Sequence, residues 1–236
     1  MPPVKSLSRR LSRRGQAPRS SRGPTRKEDS RAGPRSHPIQ VKKSELRKIF
    51  FERRMALSAA ERAEKSSLIS ELFFTAVDLA GLKTVHSFIP MVDRGEVDTS
   101  LIIHELWAKR PEVQIVVPRI DPETGELESF AYTAETELRE NRWGVREPAG
   151  GEPADPQDID LVIVPLLCFD GRGYRVGYGK GYYDRFLSRC RPDCINAGVS
   201  FFPPIEQIDD LHAGDLPVDL TITPDLVYRS GAGRNA

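Results

Sequence analysis

A chain of 236 residues, 39% of them hydrophobic and 29% charged, has material for one α/β domain with a substantial core, or two small domains at most. No apolar run approaches the length of a membrane-spanning helix, so a membrane is not an expected partner. The net charge of +1 hides a split: residues 1–42 hold twelve of the 35 Lys and Arg but only two of the 34 acids, a net +10 against −9 for the rest.

That basic leader is rich in Arg, Ser, Pro and Gly and cannot bury enough surface to fold alone, so residues 1–41 are expected to be disordered. Three origins compete for it. Val4, Leu7 and Leu11 among Arg9, Arg10, Arg13 and Arg14 suit an organelle-targeting helix, which would make the protein mitochondrial. A nucleic-acid-binding arm is the second. An ill-defined start of a cytoplasmic protein is the third and the favoured one, and nucleic acid is not an expected partner. Cys168, Cys190 and Cys194 are odd in number and lack zinc spacing, so they read as reduced thiols.

The folded part begins near Val41. Residues 43–56 read as a helix with Leu46, Ile49 and Phe50 inward. Ser58 and Glu61 form a capping box that starts a second helix, running to about Leu79 and stopped by Gly81. Residues 83–89 form a strand closed by Pro90, and Asp98 or Thr99 caps a helix through Leu106 and Trp107. Strands follow at 113–117 and 128–132, then an irregular connection at 141–157 rich in Pro, Gly and acids. The apolar, β-branched stretch from Asp160 to Pro165 is a buried strand, followed by a Gly-rich loop and a helix from Tyr182. Residues 195–200 and 220–223 are the last strands. Alternating strands and helices predict a mostly parallel sheet covered on both faces. The domain should span 42–228, with a flexible tail at 229–236.

The segment Arg175-Val176-Gly177-Tyr178-Gly179-Lys180-Gly181-Tyr182-Tyr183-Asp184 carries most of the chemical information. It leaves the carboxyl end of a strand, where ligands bind in open α/β sheets. Gly177, Gly179 and Gly181 permit positive φ and close approach of backbone N–H groups to an anion. Lys180 and Arg175 supply charge, and Asp184 suits Mg²⁺. A tight turn and a helix cap account for the same residues more plainly, and the spacing matches neither standard nucleotide fingerprint. The residues alone say phosphate site and no more. Lys43 and Arg47 share a helix face, where a bound anion would relieve their repulsion. Glu96 is a free acid after a strand. Asp98 beside it is a cap, Asp219 alone is uninformative, and His104 reads as a packing residue.

In order, the pieces Lys43-Ser44-Glu45-Leu46-Arg47, Glu96-Val97-Asp98-Thr99, Val117-Pro118-Arg119, Trp143-Gly144-Val145-Arg146-Glu147-Pro148, the Gly-rich segment and Pro217-Val218-Asp219 resemble the 5-formyltetrahydrofolate cyclo-ligase (methenyltetrahydrofolate synthetase) family. The similarity runs over about 43–223, and the Gly-rich segment is its most specific part. Cys168 departs from the small residue usual there.

The resemblance implies an α/β three-layer sandwich with a mostly parallel sheet, similar to the sugar-phosphate isomerase and CoA transferase fold. It also implies an ATP- and Mg²⁺-dependent enzyme, expected to be a monomer, that converts 5-formyltetrahydrofolate to 5,10-methenyltetrahydrofolate with release of ADP and phosphate. Carried over by position, Lys43 and Arg47 contact ATP phosphates. Arg175, Val176, Gly177, Tyr178, Gly179, Lys180, Gly181, Tyr182 and Tyr183 form the nucleotide loop, with Lys180 and Arg175 catalytic. Asp184 and Asp219 hold Mg²⁺, Glu96 binds the pterin, Tyr182 lies against the folate, and Phe88, Met91 and Trp143 wall its pocket. Two rivals share the fold: a non-catalytic folate- or nucleotide-binding paralogue, and a sugar-phosphate isomerase-like enzyme that needs no ATP.

Overall fold

The computed structural model describes residues 42–142 and 144–231; the leader 1–41, Trp143 and residues 232–236 lie outside the described residues. The first helix, α1 (Lys43–Ala56), buries Leu46, Phe50 and Arg54, an i, i+4, i+8 stripe. Ile49 is 40% exposed, contrary to expectation, because the inward stripe continues through Arg54 and leaves position 49 on the flank. The start of α1 has no side-chain cap of its own. Instead the Lys43 N–H donates to Asp210 Oδ1 at 2.7 Å, so a distant carboxylate satisfies one orphan donor at the positive end of the helix.

The second helix, α2 (Ala59–Ala76), starts from the expected capping box: Glu61 N–H donates to Ser58 Oγ at 3.2 Å, and Ser58 N–H to Glu61 Oε2 at 2.7 Å. It ends at Ala76, short of Leu79. Next come β1 (Thr84–His86) and α3 (Ser100–Lys109). Asp98 Oδ1 accepts from Ser100 N–H at 3.0 Å, while the buried Thr99 hydroxyl donates to Phe88 O at 2.6 Å. Asp98 therefore caps, and Thr99 ties the helix entry to the chain leaving β1.

The remaining elements are β2 (Gln114–Ile120), β3 (Leu127–Ala131), β4 (Leu138–Glu140), β5 (Arg146–Pro148), β6 (Pro153–Ala154), β7 (Leu161–Pro165), β8 (Cys168–Phe169), β9 (Arg175–Val176), α4 (Tyr182–Arg189), β10 (Ile195–Val199), β11 (Leu220–Ile222) and β12 (Val227–Arg229). The connection at 141–157 is not wholly irregular: β5 pairs with β4 and β6 with β3. Arg229 pairs with Leu220, and the Ser230 N–H donates to Asp219 O at 3.0 Å, so the ordered body runs past the expected boundary at 228.

The main sheet has the order β12-β11-β10-β7-β1-β2-β3-β6. Its centre, β11 to β2, is parallel; β3, β6 and β12 add antiparallel edges. Alternation along β7 builds three layers. Leu161 and Ile163 face α1, α2 and α3 through Phe50, Ile69, Phe73 and Leu106. Val162 and Val164 face α4 through Phe186 and Leu187. A strand buried on both sides must be apolar throughout, as β7 is. All three cysteines are buried thiols outside any disulfide, and burial pushes the Cys168 thiol up to about 12, which makes it inert. Among the described residues no helix is long and apolar enough to cross a membrane.

His86 faces α4 from β1 and is fully buried. Its Nδ1 lies 2.9 Å from Ser129 Oγ and its Nε2 3.3 Å from the Tyr183 hydroxyl, with the Phe186 ring 4.7 Å away. Burial lowers its pKa from 6.5 to about 3, so the folded protein holds it neutral. The folded value is the lower one, so its stabilisation is complete above pH 6.5 and is lost as pH falls toward 3. The slope is up to about 1.4 kcal/mol per pH unit. Urea unfolding across this range should show that slope, and His86→Asn should remove this one proton's share of it; equal slopes in the two proteins would refute the assignment.

Candidate functional site

The connections of β1 and β7 part company. β1 leads to β2 on one side of the sheet, and β7 leads to β10 on the other, although β1 and β7 are paired neighbours. The crevice beyond their carboxyl ends is the topological switch point where ligands bind in such sheets. Glu96 lies on the segment that leaves β1. The segment that leaves β7 forms the β8–β9 hairpin, then the loop to α4. The two meet directly: the Tyr178 hydroxyl donates to Glu96 Oε1 at 2.8 Å.

Glu96 is 8% exposed, and the Met91 N–H donates to its Oε2 at 2.8 Å. Burial raises its pKa above the ordinary carboxylate value, against the pull of the Met91 N–H, Arg54, Tyr178 and Arg94. Met91 thus contributes its backbone here. Phe88 is a core residue packed with the α1–α3 layer, not a pocket wall. Beside Glu96 opens a cavity of about 360 Å³, lined among others by Ile89, Pro90, His104, Tyr132 and Arg146. His104 is exposed on this rim, its ring 5.5 Å from Trp107, and does not pack into the core.

The loop is held from α1. Arg47 Nε donates to Gly177 O at 2.9 Å, and its guanidinium lies 2.9 Å from where a Cβ on Gly179 would stand. Gly179 and Gly181 have φ of +88° and +68°, the left-handed region that favours glycine. Gly177 does not; its contribution is the carbonyl. Lys180 is exposed, and only its carbonyl is engaged among the described residues, by Arg185 Nη1 at 3.0 Å. Tyr182 lies under the Arg185 guanidinium at 5.4 Å, whereas Tyr183 turns inward to His86. Val176 is buried in the core and anchors the hairpin.

Arg175 is buried and salt-bridged to Asp184, Nη2 to Oδ1 at 2.9 Å, and its Nη1 donates to Leu216 O. The Leu216 N–H donates to the same Asp184 oxygen at 3.2 Å, leaving Oδ2 without a hydrogen bond among the described residues. Next to Leu216 stands Asp215, which the sequence reading did not single out. It accepts from Lys43 Nζ and from His212 N–H, the latter at 2.6 Å. Burial alone would raise its carboxyl, but the His212 N–H and the Lys43 ammonium outweigh that and hold it low. Lys43 thereby pairs with an acid rather than repelling Arg47.

Asp219 is placed differently from the expectation. Its Oδ2 accepts the Asn196 N–H at 2.7 Å at the start of β10, so it serves the amino end of the parallel sheet. The acid that shares an electrostatic neighbourhood with Arg175 and Asp184 is Asp215. Asp215 and Asp219 stand four positions apart in Asp215-Leu216-Pro217-Val218-Asp219, and the one signal favouring Asp215 was its place four positions further from β11, on the loop proper. Among the described residues no three His, Cys, Asp or Glu side chains converge on one point. Asp184 and Asp215 offer two carboxylates near Arg175, the number that Mg²⁺ usually takes before completing its shell with phosphate oxygens and water.

The model of the "5-formyltetrahydrofolate cyclo-ligase family" matches residues 39–220. A 5-formyltetrahydrofolate cyclo-ligase from Mus musculus is 32% identical over 159 residues, 64% of this chain and 76% of the relative. One from Escherichia coli K12 is 28% identical over 186 residues, 75% of this chain and 97% of the relative. Among solved structures, the 5,10-methenyltetrahydrofolate synthetase of Aquifex aeolicus aligns with a TM-score of 0.69 at 33% identity, covering 82% of this chain and 95% of its own. The match runs from just before α1 to the start of β11 and takes in every segment of the crevice, so the chain belongs to the 5-formyltetrahydrofolate cyclo-ligase family.

Proposed function

We propose that this protein closes the imidazoline ring of 5-formyltetrahydrofolate to give 5,10-methenyltetrahydrofolate, with ATP converted to ADP and phosphate, and that it acts in the cytoplasm as a monomer. One observation carries the reading: a loop with an unpaired lysine and left-handed glycines is joined by the Tyr178–Glu96 hydrogen bond to a buried acid at the edge of a cavity of about 360 Å³. Two substrates need adjoining sites of these two kinds, and a cavity of that size suits a bicyclic headgroup.

The chemistry suits the residues. The formyl oxygen is a poor leaving group until it is phosphorylated. It attacks the γ-phosphorus, ADP departs, N10 of the same folate attacks the activated carbon and gives up its proton to water, and phosphate leaves. Both nucleophiles belong to substrates, so the protein's task is alignment and charge. Lys180 and Arg47 supply cationic charge at the phosphates, and Arg175 holds Asp184. Mg²⁺, when bound by Asp184 and Asp215, supplies further charge neutralisation there. Glu96 accepts N–H groups of the pterin, and Tyr182 flanks the folate.

Incubation with 5-formyltetrahydrofolate, ATP and Mg²⁺ should give methenyl absorbance that depends on ATP; its absence would sink the assignment. Turnover without ATP would point to the isomerase-like rival. Lys180→Ala should lower kcat by on the order of a hundredfold or more, as loss of one charge-stabilising donor does elsewhere, and unchanged kcat would remove Lys180 from the site. Asp184→Asn and Asp215→Asn should each raise the Mg²⁺ concentration needed for half-maximal rate, whereas Asp219→Asn should lower thermal stability with little change in the Mg²⁺ titration. A reversed ranking of Asp215 and Asp219 would return the metal to Asp219.

A further inference from the structure

The apolar stripe of α1 is interrupted by a charge. After Leu46 and Phe50 the next inward position is Arg54, which is only 4% exposed. Its Nη2 donates to the Tyr178 hydroxyl, its guanidinium lies 5.4 Å from the Tyr178 ring and 5.8 Å from that of Phe51, and its buried Nε has no partner. Burying an arginine with a donor unsatisfied is costly, and an apolar side chain of similar volume would serve stability as well or better. The charge at this position therefore calls for a role beyond packing.

Proton accounting supplies one. A guanidinium can only donate, so the Tyr178 oxygen must accept from Arg54. The single tyrosine proton is then committed to Glu96 Oε1, while Glu96 Oε2 is occupied by the Met91 N–H. Both carboxylate oxygens thus receive donors, and this arrangement suits the ionised acid. The charged and titratable groups that act on or face Glu96 are Arg54 from α1, Tyr178 from the loop, Arg94 from the turn before it and Tyr183 from α4, and Arg62 from α2, Asp98, His104 from α3 and Arg146 from β5 line the same cavity. Arg54 stands seven residues after Arg47 on the same helix, so α1 grips the loop at two consecutive residues, Gly177 and Tyr178.

We propose that Arg54 is a positioning residue: through Tyr178 it aims Glu96 and keeps it ionised for the folate, so that the folate-side acid is set only when the nucleotide loop is seated on α1. The inference rests on the reading of Glu96 as the folate-binding acid. Removing the cation leaves burial less opposed, so the acid titrates at higher pH.

The test compares Arg54→Met, Arg54→Lys and Tyr178→Phe with the parent enzyme in steady-state kinetics. Arg54→Met should raise the KM for 5-formyltetrahydrofolate about tenfold or more, as loss of a charge-assisted bond does, while the KM for ATP stays within about twofold. The acid limb of kcat/KM for the folate should move to higher pH, and Arg54→Lys, which keeps the charge, should bring it back. Tyr178→Phe removes one oxygen from the same link without leaving a cavity, so it tests the link even if Arg54→Met does not fold. It should raise the folate KM likewise, and Arg54→Met should add little on top of it. Equal changes in both KM values, or a lowered Tm with the acid limb unmoved, would overturn the proposal. Glu96→Gln with an unchanged folate KM would instead sink the reading of Glu96 itself.

Discussion

Everything at the site depends on the pairing of β1 with β7. These strands are adjacent and parallel, yet their connections run to opposite sides of the sheet. Helices cannot cover the point where the connections diverge, and a crevice is left at the carboxyl ends. One lip then carries Glu96 and the other the Gly-rich loop, without either segment being selected for proximity in sequence. The 2.8 Å bond from Tyr178 to Glu96 spans that crevice. The Gly-rich loop and the buried acid become neighbours through topology.

The electrostatics of the crevice show the cost of that arrangement. Arg54, Arg175 and Glu96 are buried, and the Lys43 and Asp215 side chains are only 13% and 18% exposed. Ion pairs in such surroundings add little net stability, because desolvation offsets the Coulomb attraction. What they give is orientation. Arg175 spends its donors on Asp184 and Leu216 O, fixing the loop's last acid against the segment that carries Asp215. Lys43 fixes Asp215 from the other side. Charges already in place need not reorganise as charge develops on a bound ligand, and preorganisation of this kind is the larger part of electrostatic catalysis.

What could be read from the chain follows the range of the interactions. The capping box of α2 and the span of α1 are local, fixed by residues within one or two turns, and both agree with expectation. The β7 run was plain because burial on both faces demands apolar residues throughout. Its antiparallel edges were less so: β12 is three residues long and only partly buried, with no periodicity to detect. The site residues divide the same way. The loop announced itself by glycine and lysine at close spacing. Asp215, by contrast, acquires its place from Lys43, 172 residues away, and Arg54 from Tyr178, 124 residues away. Arg54 nevertheless left a trace, a cation where the 46–50 stripe called for an apolar side chain. Asp215 and Asp219, like acids four positions apart, differ only in the partners that the fold brings to them, the Lys43 ammonium for one and the Asn196 N–H for the other.

These separations bear on how the site comes into being. The loop leaves β9, two residues long and paired only with β8, so its own scaffold is slight. Besides Arg185 on Lys180 O and Glu96 on the Tyr178 hydroxyl, its fixed points are Arg47 on Gly177, Arg54 on Tyr178 and the close approach of Arg47 to Gly179, these three from a helix near the other end of the folded chain. Such non-local contacts form only after the chain entropy between them has been spent. The Gly-rich loop therefore takes its place only when α1 docks. Any local opening that lifts α1 releases Gly177 from Arg47 and Tyr178 from Arg54 together. Both lips of the crevice thus lean on one helix, the loop directly and Glu96 through Tyr178.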